Sequence, residues 1–152
     1  IGRNINILNH ILPSATKSIV EISPDAFKIV TQRYKLANAK NCSITEAEYP
    51  PNSFDLVFTT GVLIHIAPEN LIKNLNKIYS FSRRYILFCE MFSRVPTSVN
   101  YKNEDDLLFT RDYGRFFLEN FEARIVDYGF LWGHYFDKAG FDDGNFWVFE
   151  KL

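Results

Sequence analysis

Phe54-Asp55-Leu56-Val57-Phe58-Thr59-Thr60 is a short apolar run, β-branched and aromatic, with one early acid, and it breaks at Gly61. Val62-Leu63-Ile64 then leads to a lone histidine, His65, before Ile66, Ala67 and Pro68. A run of this length and composition reads as a buried strand. Thr-Thr-Gly marks its carboxyl end, and Pro68 opens a helix a few residues on. In open α/β sheets ligands bind outside the carboxyl ends of the strands. Any small-molecule site in this chain is therefore expected along Thr59 to His65.

Other strand and helix signals alternate around that run. Ile5, Leu8, Ile11 and Leu12 form a helical stripe stopped by Pro13, with Gly2 and Asn4 suited to a turn and an N-cap. Ser18 to Ser23 is a strand candidate. Ser23, Pro24 and Asp25 then supply a cap, a first-turn proline and a dipole-compatible acid for a helix facing inward through Phe27, Val30 and Tyr34. Asn41 to Thr45 predicts a short strand before the Pro50-Pro51-Asn52 turn, and Pro68 to Ser82 a helix with Leu71, Leu75, Ile78 and Tyr79 on one side. Arg84 to Phe92 follows as a strand.

Ser93 to Asp106 shows little periodicity and reads as a polar loop ending in Glu104-Asp105-Asp106, most simply solvated. Thr110 is expected to cap a helix bearing Tyr113, Phe116, Phe117 and Phe121, with the Phe116-Phe117 pair and Trp132 in the core. Ala123 to Trp132 and Asn145 to Lys151 read as strands joined by a loop over 133–144.

Strands alternating with helices imply a mostly parallel sheet covered on both faces. The last two strands, with no helix expected between them, imply an antiparallel hairpin at one edge. The chain begins at Ile1 without Met, and Gly2-Arg3-Asn4 leads straight into a helix. The pattern thus predicts an α/β sheet lacking its first strand, in a single, N-terminally incomplete domain over residues 1–152.

A hydrophobic content of 47% and a charged content of 23% are those of a globular chain, and 16% aromatics predict ring-rich pocket walls. A net charge of −1 argues against a broad phosphate-binding face, so nucleic acid is not an expected partner. Cys42 and Cys89 read as reduced, buried thiols. His10, His65 and His134 lie too far apart for a metal-ligand spacing, and no metal is expected. No apolar run approaches the ~18 residues of a membrane span and no leader is visible, which predicts a cytoplasmic protein without membrane contact.

These features together resemble the class I S-adenosylmethionine-dependent methyltransferases, which share a three-layer, Rossmann-like fold. Gly2-Arg3-Asn4 resembles the end of their glycine-rich first motif, Glu21 the acid that ends their second strand, and Phe54-Asp55-Leu56-Val57 their fourth-strand motif. Four further blocks are similar to the pseudaminic acid biosynthesis-associated methylases. They are Gly61 to Ile66, Glu90 to Ser93, Leu108 to Tyr113 and Asp127 to Trp132. The resemblance covers nearly the whole chain and departs at the front.

It implies S-adenosyl-L-methionine as cofactor and a small-molecule acceptor, a sugar or nucleotide sugar of the nonulosonic, pseudaminic type, with O-methylation as the reaction. Glu21 follows Gly2 by 19 positions, an offset that a nicotinamide-binding sheet shares. A nicotinamide-dependent oxidoreductase therefore stands as an alternative, and a truncated, non-catalytic binding domain as another.

On this reading the cofactor-binding residues are Gly2, Asn4, Glu21, Ser43, Ile44, Thr59, Thr60 and Gly61. Glycine permits close backbone approach, a carboxylate accepts both ribose hydroxyls, and Ser43 and Ile44, with Thr45, wall the adenine. His65 is the catalytic candidate, as a base for an acceptor hydroxyl, against the alternative of a packed, hydrogen-bonded histidine. Substrate-binding candidates are Glu90, Tyr101 and Arg111. Glu90 suits either a substrate contact or a loop anchor, and an arginine grips carboxylate or phosphate bidentately.

Overall fold

The computed structural model describes residues 1–104, 106–136 and 143–152. The chain forms two compact units, Ile1–Glu48 and Tyr49–Leu152.

In the first unit, helix α1 (Arg3–Ile11) is followed by strand β1 (Ser18–Val20), helix α2 (Pro24–Arg33) and strand β2 (Asn38–Lys40). β1 and β2 pair in parallel, Ser18 opposite Asn38 and Val20 opposite Lys40. α2 starts as its sequence predicts: Ser23 accepts the Ala26 amide at 3.3 Å, Pro24 occupies the first turn, and Asp25 complements the dipole. α1 departs from expectation. Its N-cap is Gly2 in the left-handed conformation, φ 71°, with no side-chain cap, and Asn4 already lies inside the helix.

The strand expected at 41–45 is instead β2, ending at Lys40, followed by a turn. Asn41 Nδ2 donates to the Glu21 carbonyl at 2.7 Å, and Ser43 donates from both its amide and its hydroxyl to the Glu46 carboxylate, at 2.9 and 2.7 Å. Short polar side chains that bond nearby backbone compete with a strand ladder, and here they win.

The second unit contains strand β3 (Phe54–Thr60), a single 3-10 turn (Leu63–His65), helix α3 (Pro68–Phe81) and strand β4 (Ser82–Glu90). It continues with β5 (Thr97–Ser98), β6 (Phe109–Thr110), α4 (Tyr113–Asn120), β7 (Ala123–Leu131), the short α5 (Gly133–Phe136) and β8 (Gly144–Lys151). Its main sheet has the order β3-β4-β8-β7. β3 and β4 are parallel, whereas β8 is antiparallel to both β4 and β7. The sheet is therefore mixed: β3, β4 and β7 run the same way, and β8 returns against them between β4 and β7. The expected antiparallel hairpin is present, with β7 as the edge strand. This is an α/β, Rossmann-like architecture.

The core of this unit is built from rings and aliphatic side chains. Phe117 of α4 meets Phe88 of β4 edge-on at 5.1 Å and Phe149 of β8 at 4.6 Å, and all three are fully buried. α3 contributes Leu71, Leu75 and Ile78, each at most 2% exposed, as its periodicity predicts. α4 is capped by Asp112, which accepts the Arg115 amide at 2.9 Å; Thr110, the predicted cap, lies two residues earlier in β6.

The supposed polar loop at 93–106 contains β5, and β5 and β6 form a small antiparallel hairpin, Thr97 opposite Thr110. Tyr101 and Glu104 bridge across a tight turn in which Lys102 and Asn103 take positive φ, 56° and 66°. Trp132 is 54% exposed rather than core, and Cys42 and Cys89 are free but only half-buried. Asp105, and residues 137–142 of the expected loop before β8, lie outside the described residues; residues 133–136 of that loop are α5.

Candidate functional site

β3 carries its chain to a sharp break. Thr60 is the last paired residue, opposite Cys89, and Gly61 follows at φ 61° with its amide donating to the Cys89 carbonyl at 2.9 Å. A side chain is disfavoured there by conformation, while the space a Cβ would occupy is open, with nothing within 4 Å. The chain then coils through Leu63–His65, burying Leu63 and Ile64 and leaving His65 exposed.

Glu90, the last residue of β4, holds this loop. Its carboxylate is 2% exposed. Oε1 accepts the Thr59 hydroxyl at 2.8 Å and the Val62 amide at 3.2 Å, and Oε2 accepts the Ile64 amide at 3.4 Å. Burial pushes the Glu90 carboxyl above the usual range, and the Thr59 hydroxyl with the Val62, Leu63 and Ile64 amides draws it part of the way back. Of the two roles open to Glu90 in sequence, the bonds formed here are those of a loop anchor.

His65 is oriented from the other side. Its Nδ1 lies 2.8 Å from the Leu107 carbonyl oxygen, which only accepts, so Nδ1 carries the proton and Nε2 bears the lone pair in the neutral ring. Tyr101, at the tip of the β5–β6 hairpin, packs against the imidazole with centroids 5.7 Å apart. Arg111 stacks its guanidinium over Phe116 at 4.4 Å. It also lines a cavity of about 200 Å³ with Ile66, Leu71, Pro96, Ser98 and Tyr113. Thr59, Thr60, Gly61, His65, Glu90 and Tyr101 are thus brought together around one strand end. Arg111 borders the adjoining cavity, which Ile66 lines just beyond His65.

Sequence reasoning missed Leu107, whose contribution is a main-chain carbonyl that any residue would supply. The hairpin that delivers it was hidden because Lys102-Asn103 is not the Asn-Gly pair that announces such a turn.

In the first unit, Glu21 follows β1 directly. Its Oε1 accepts the Ser23 amide at 2.9 Å, and the Asn41 bond ties it to the turn after β2, where Ser43 and Ile44 are half-buried. Glu21, Ser43 and Ile44 therefore share the carboxyl edge of the β1–β2 pair. Gly2 does not join them. A Cβ on Gly2 would meet the Tyr34 ring at 2.7 Å, so Gly2 packs at the carboxyl end of α2, while Glu21 adjoins its amino end. Ten residues of helix, about 15 Å, separate those two ends. Gly2 is glycine here because its conformation and Tyr34 require it, and Asn4 follows it into α1. Neither reaches the edge where Glu21 lies.

Among the described residues, no group of three or more His, Cys, Asp or Glu side chains is placed to hold a metal. No described helix is long and apolar enough to cross a membrane.

A family model described as a methyltransferase domain matches residues 2–81, more than half of the chain, and the chain belongs to that family. Its fold is that of solved S-adenosylmethionine-dependent methyltransferases. One, from Leishmania major, superposes with a TM-score of 0.70 at 21% identity over 89% of this chain and 55% of its own. The 1,6-didemethyltoxoflavin-N1-methyltransferase of Burkholderia thailandensis, solved with bound 1,6-didemethyltoxoflavin and S-adenosylhomocysteine, gives 0.75 at 17% identity over 99% and 67%. The magnesium protoporphyrin IX methyltransferase of Synechocystis, solved with S-adenosylmethionine, gives 0.68 at 13% over 92% and 61%. The chain thus spans 55% to 67% of the length of these three proteins. Comparison with curated protein sequences finds no significant match.

Proposed function

We propose that this chain is an S-adenosylmethionine-dependent methyltransferase acting on a small molecule, with residues 1–152 as one methyltransferase domain. The observation that carries the reading is His65, fixed through Nδ1 with Nε2 free, on the loop that leaves β3 in a chain of the methyltransferase family. S-adenosylmethionine supplies an electrophilic methyl group on a sulfonium and leaves as the neutral thioether.

The chain's own groups have separate tasks. Glu21 accepts ribose hydroxyls, and Ser43 and Ile44 wall the adenine. Thr60 and the open side of Gly61 allow close approach of the methionyl part. His65 Nε2 takes the proton of the acceptor hydroxyl as its oxygen bonds to carbon. Tyr101 and Arg111 bind the acceptor, Arg111 through any carboxylate or phosphate it carries. Most of the acceleration comes from orienting the two reactants, with the base adding to it.

The similarity of residues 61–66, 90–93, 108–113 and 127–132 to pseudaminic acid-associated methylases favours a sugar or nucleotide sugar hydroxyl as acceptor, O-methylation as the reaction, and a cytoplasmic location. Two structural neighbours, a 1,6-didemethyltoxoflavin-N1-methyltransferase and a magnesium protoporphyrin IX methyltransferase, also favour a small acceptor. Transfer of labelled methyl to a panel of sugar and nucleotide-sugar acceptors tests this. Turnover with a hydroxyl acceptor that falls about a hundredfold or more in His65→Ala supports the role of the base. Undiminished turnover in that variant removes His65 from the chemistry.

A further inference from the structure

We infer that Glu90 is the positioning residue of this site: its buried carboxylate, seated on the Thr59 hydroxyl and the loop amides of Val62 and Ile64, holds His65 in its working orientation. The catalytic consequence rests on the methyltransferase reading; the anchoring itself does not.

The geometry leaves little else for this carboxylate to do. At 2% exposure it is shielded from solvent, and both its oxygens are engaged by groups of one short segment. The donors are a hydroxyl and backbone amides, and among the described residues no salt bridge offsets the burial of the charge. A buried carboxylate without a counter-charge lowers stability while ionised, and apolar or amide replacements are often tolerated better in that respect. Its placement at the junction of β3 and β4 is explained by what it holds. The amides of Val62 to Ile64 point together at one end of a coiled turn, a concavity suited to an anion, and Glu90 supplies that anion from within the chain.

The turn ends in His65, and its other tether is the Leu107 carbonyl. Releasing the Glu90 end leaves the His65 ring held, among the described residues, by the Leu107 carbonyl and the ring of Tyr101. Among the described residues, the Glu90 charge acts on two titratable groups, Cys89 on the same strand and Tyr113 on α4, the latter also drawn the other way by Arg111. Burial raises both first, and the Glu90 charge raises them second. Both stay neutral where Glu90 ionises, so the state of the anchor follows Glu90 alone. On β8, Asn145 stands opposite Glu90, and Gly144 lets the backbones close, since a Cβ there would meet the Glu90 carbonyl oxygen at 3.3 Å.

The test compares the full chain with its Glu90→Gln variant by amide hydrogen exchange, with the Phe88 amide as a control for folding. Glutamine keeps the shape but turns one acceptor into a donor, so it cannot satisfy Val62 and Ile64 together. Protection at Val62 or Ile64 should fall roughly tenfold or more while Phe88 stays unchanged. The His65 ring nitrogens, read by ¹⁵N shift, should pass from one tautomer to a mixture. In turnover, kcat should fall with little change in KM for S-adenosylmethionine.

Equal protection of Val62 and Ile64 in parent and variant overturns the proposal. If Glu90→Gln does not fold, acid titration of the parent decides. The Val62 and Ile64 amide shifts must then move with one shared midpoint above the ordinary carboxylate range, and their failure to do so overturns the anchor. Should no acceptor be turned over, the exchange and titration results still settle the anchor, while cofactor titration settles the methyltransferase reading.

Discussion

At Glu90, burial and hydrogen bonding pull the carboxyl in opposite directions, and burial wins. The consequence for stability has a definite sign. The folded value is raised above the unfolded one, near the ordinary ~4.3 of glutamate. The folded state thus binds the proton more firmly, and its contribution to stability is fully present below the unfolded value. That contribution is lost as pH rises through the folded value. Denaturant midpoints measured across acidic to neutral pH should therefore shift in favour of Glu90→Gln relative to the parent as pH rises. A pH-independent difference would mean that Glu90 titrates normally. Glu90 was legible in sequence only as an acid at a strand end, because the burial that separates anchor from substrate contact is a tertiary property.

Gly114 makes the same point about packing. A Cβ there would overlap the Trp147 indole nitrogen, and Trp147 is 6% exposed in the core between α4 and β8. Gly114→Ala should destabilise the fold by about 1–3 kcal/mol in chemical denaturation, the usual cost of overpacking. No local pattern around Gly114 announces that contact.

Among the elements, those with a strong local period were the most readable. α3 and α2 begin at the prolines that the sequence offers, and β3 and β4 fall on the two apolar runs. What sequence reading displaced were segments where short polar side chains decide. β2 stops at Lys40 because Asn41 and Ser43 bond backbone and Glu46 instead of extending a ladder. α4 starts at Tyr113 because Asp112, not Thr110, captures a free amide. Asp112→Ala should cost about 1 kcal/mol in thermal or chemical unfolding, as for other N-caps. An unchanged midpoint would show that the Asp112 bond does not persist in solution. The β5–β6 hairpin escaped detection for a related reason, since its turn uses Lys102 at positive φ, a residue without preference for it.

For the whole molecule, the strand and helix alternation, the closing antiparallel pair and the motif around β3 sufficed to indicate an α/β methyltransferase fold. The family match and the solved neighbours agree with that indication. The candidate site was less legible. Thr59 to His65 converge with Glu90 and Tyr101 as the strand order requires, whereas Gly2 was selected for a motif that its packing on Tyr34 does not serve.

The proposed chemistry depends first on S-adenosylmethionine binding, with Glu21 accepting its ribose. Calorimetric titration of the chain and of Glu21→Ala with S-adenosylhomocysteine tests it most directly. One site per chain is expected, weakened roughly tenfold to a hundredfold in the variant by loss of a charge-assisted hydrogen bond. Absence of binding to the parent, or equal affinity in Glu21→Ala, would contradict it.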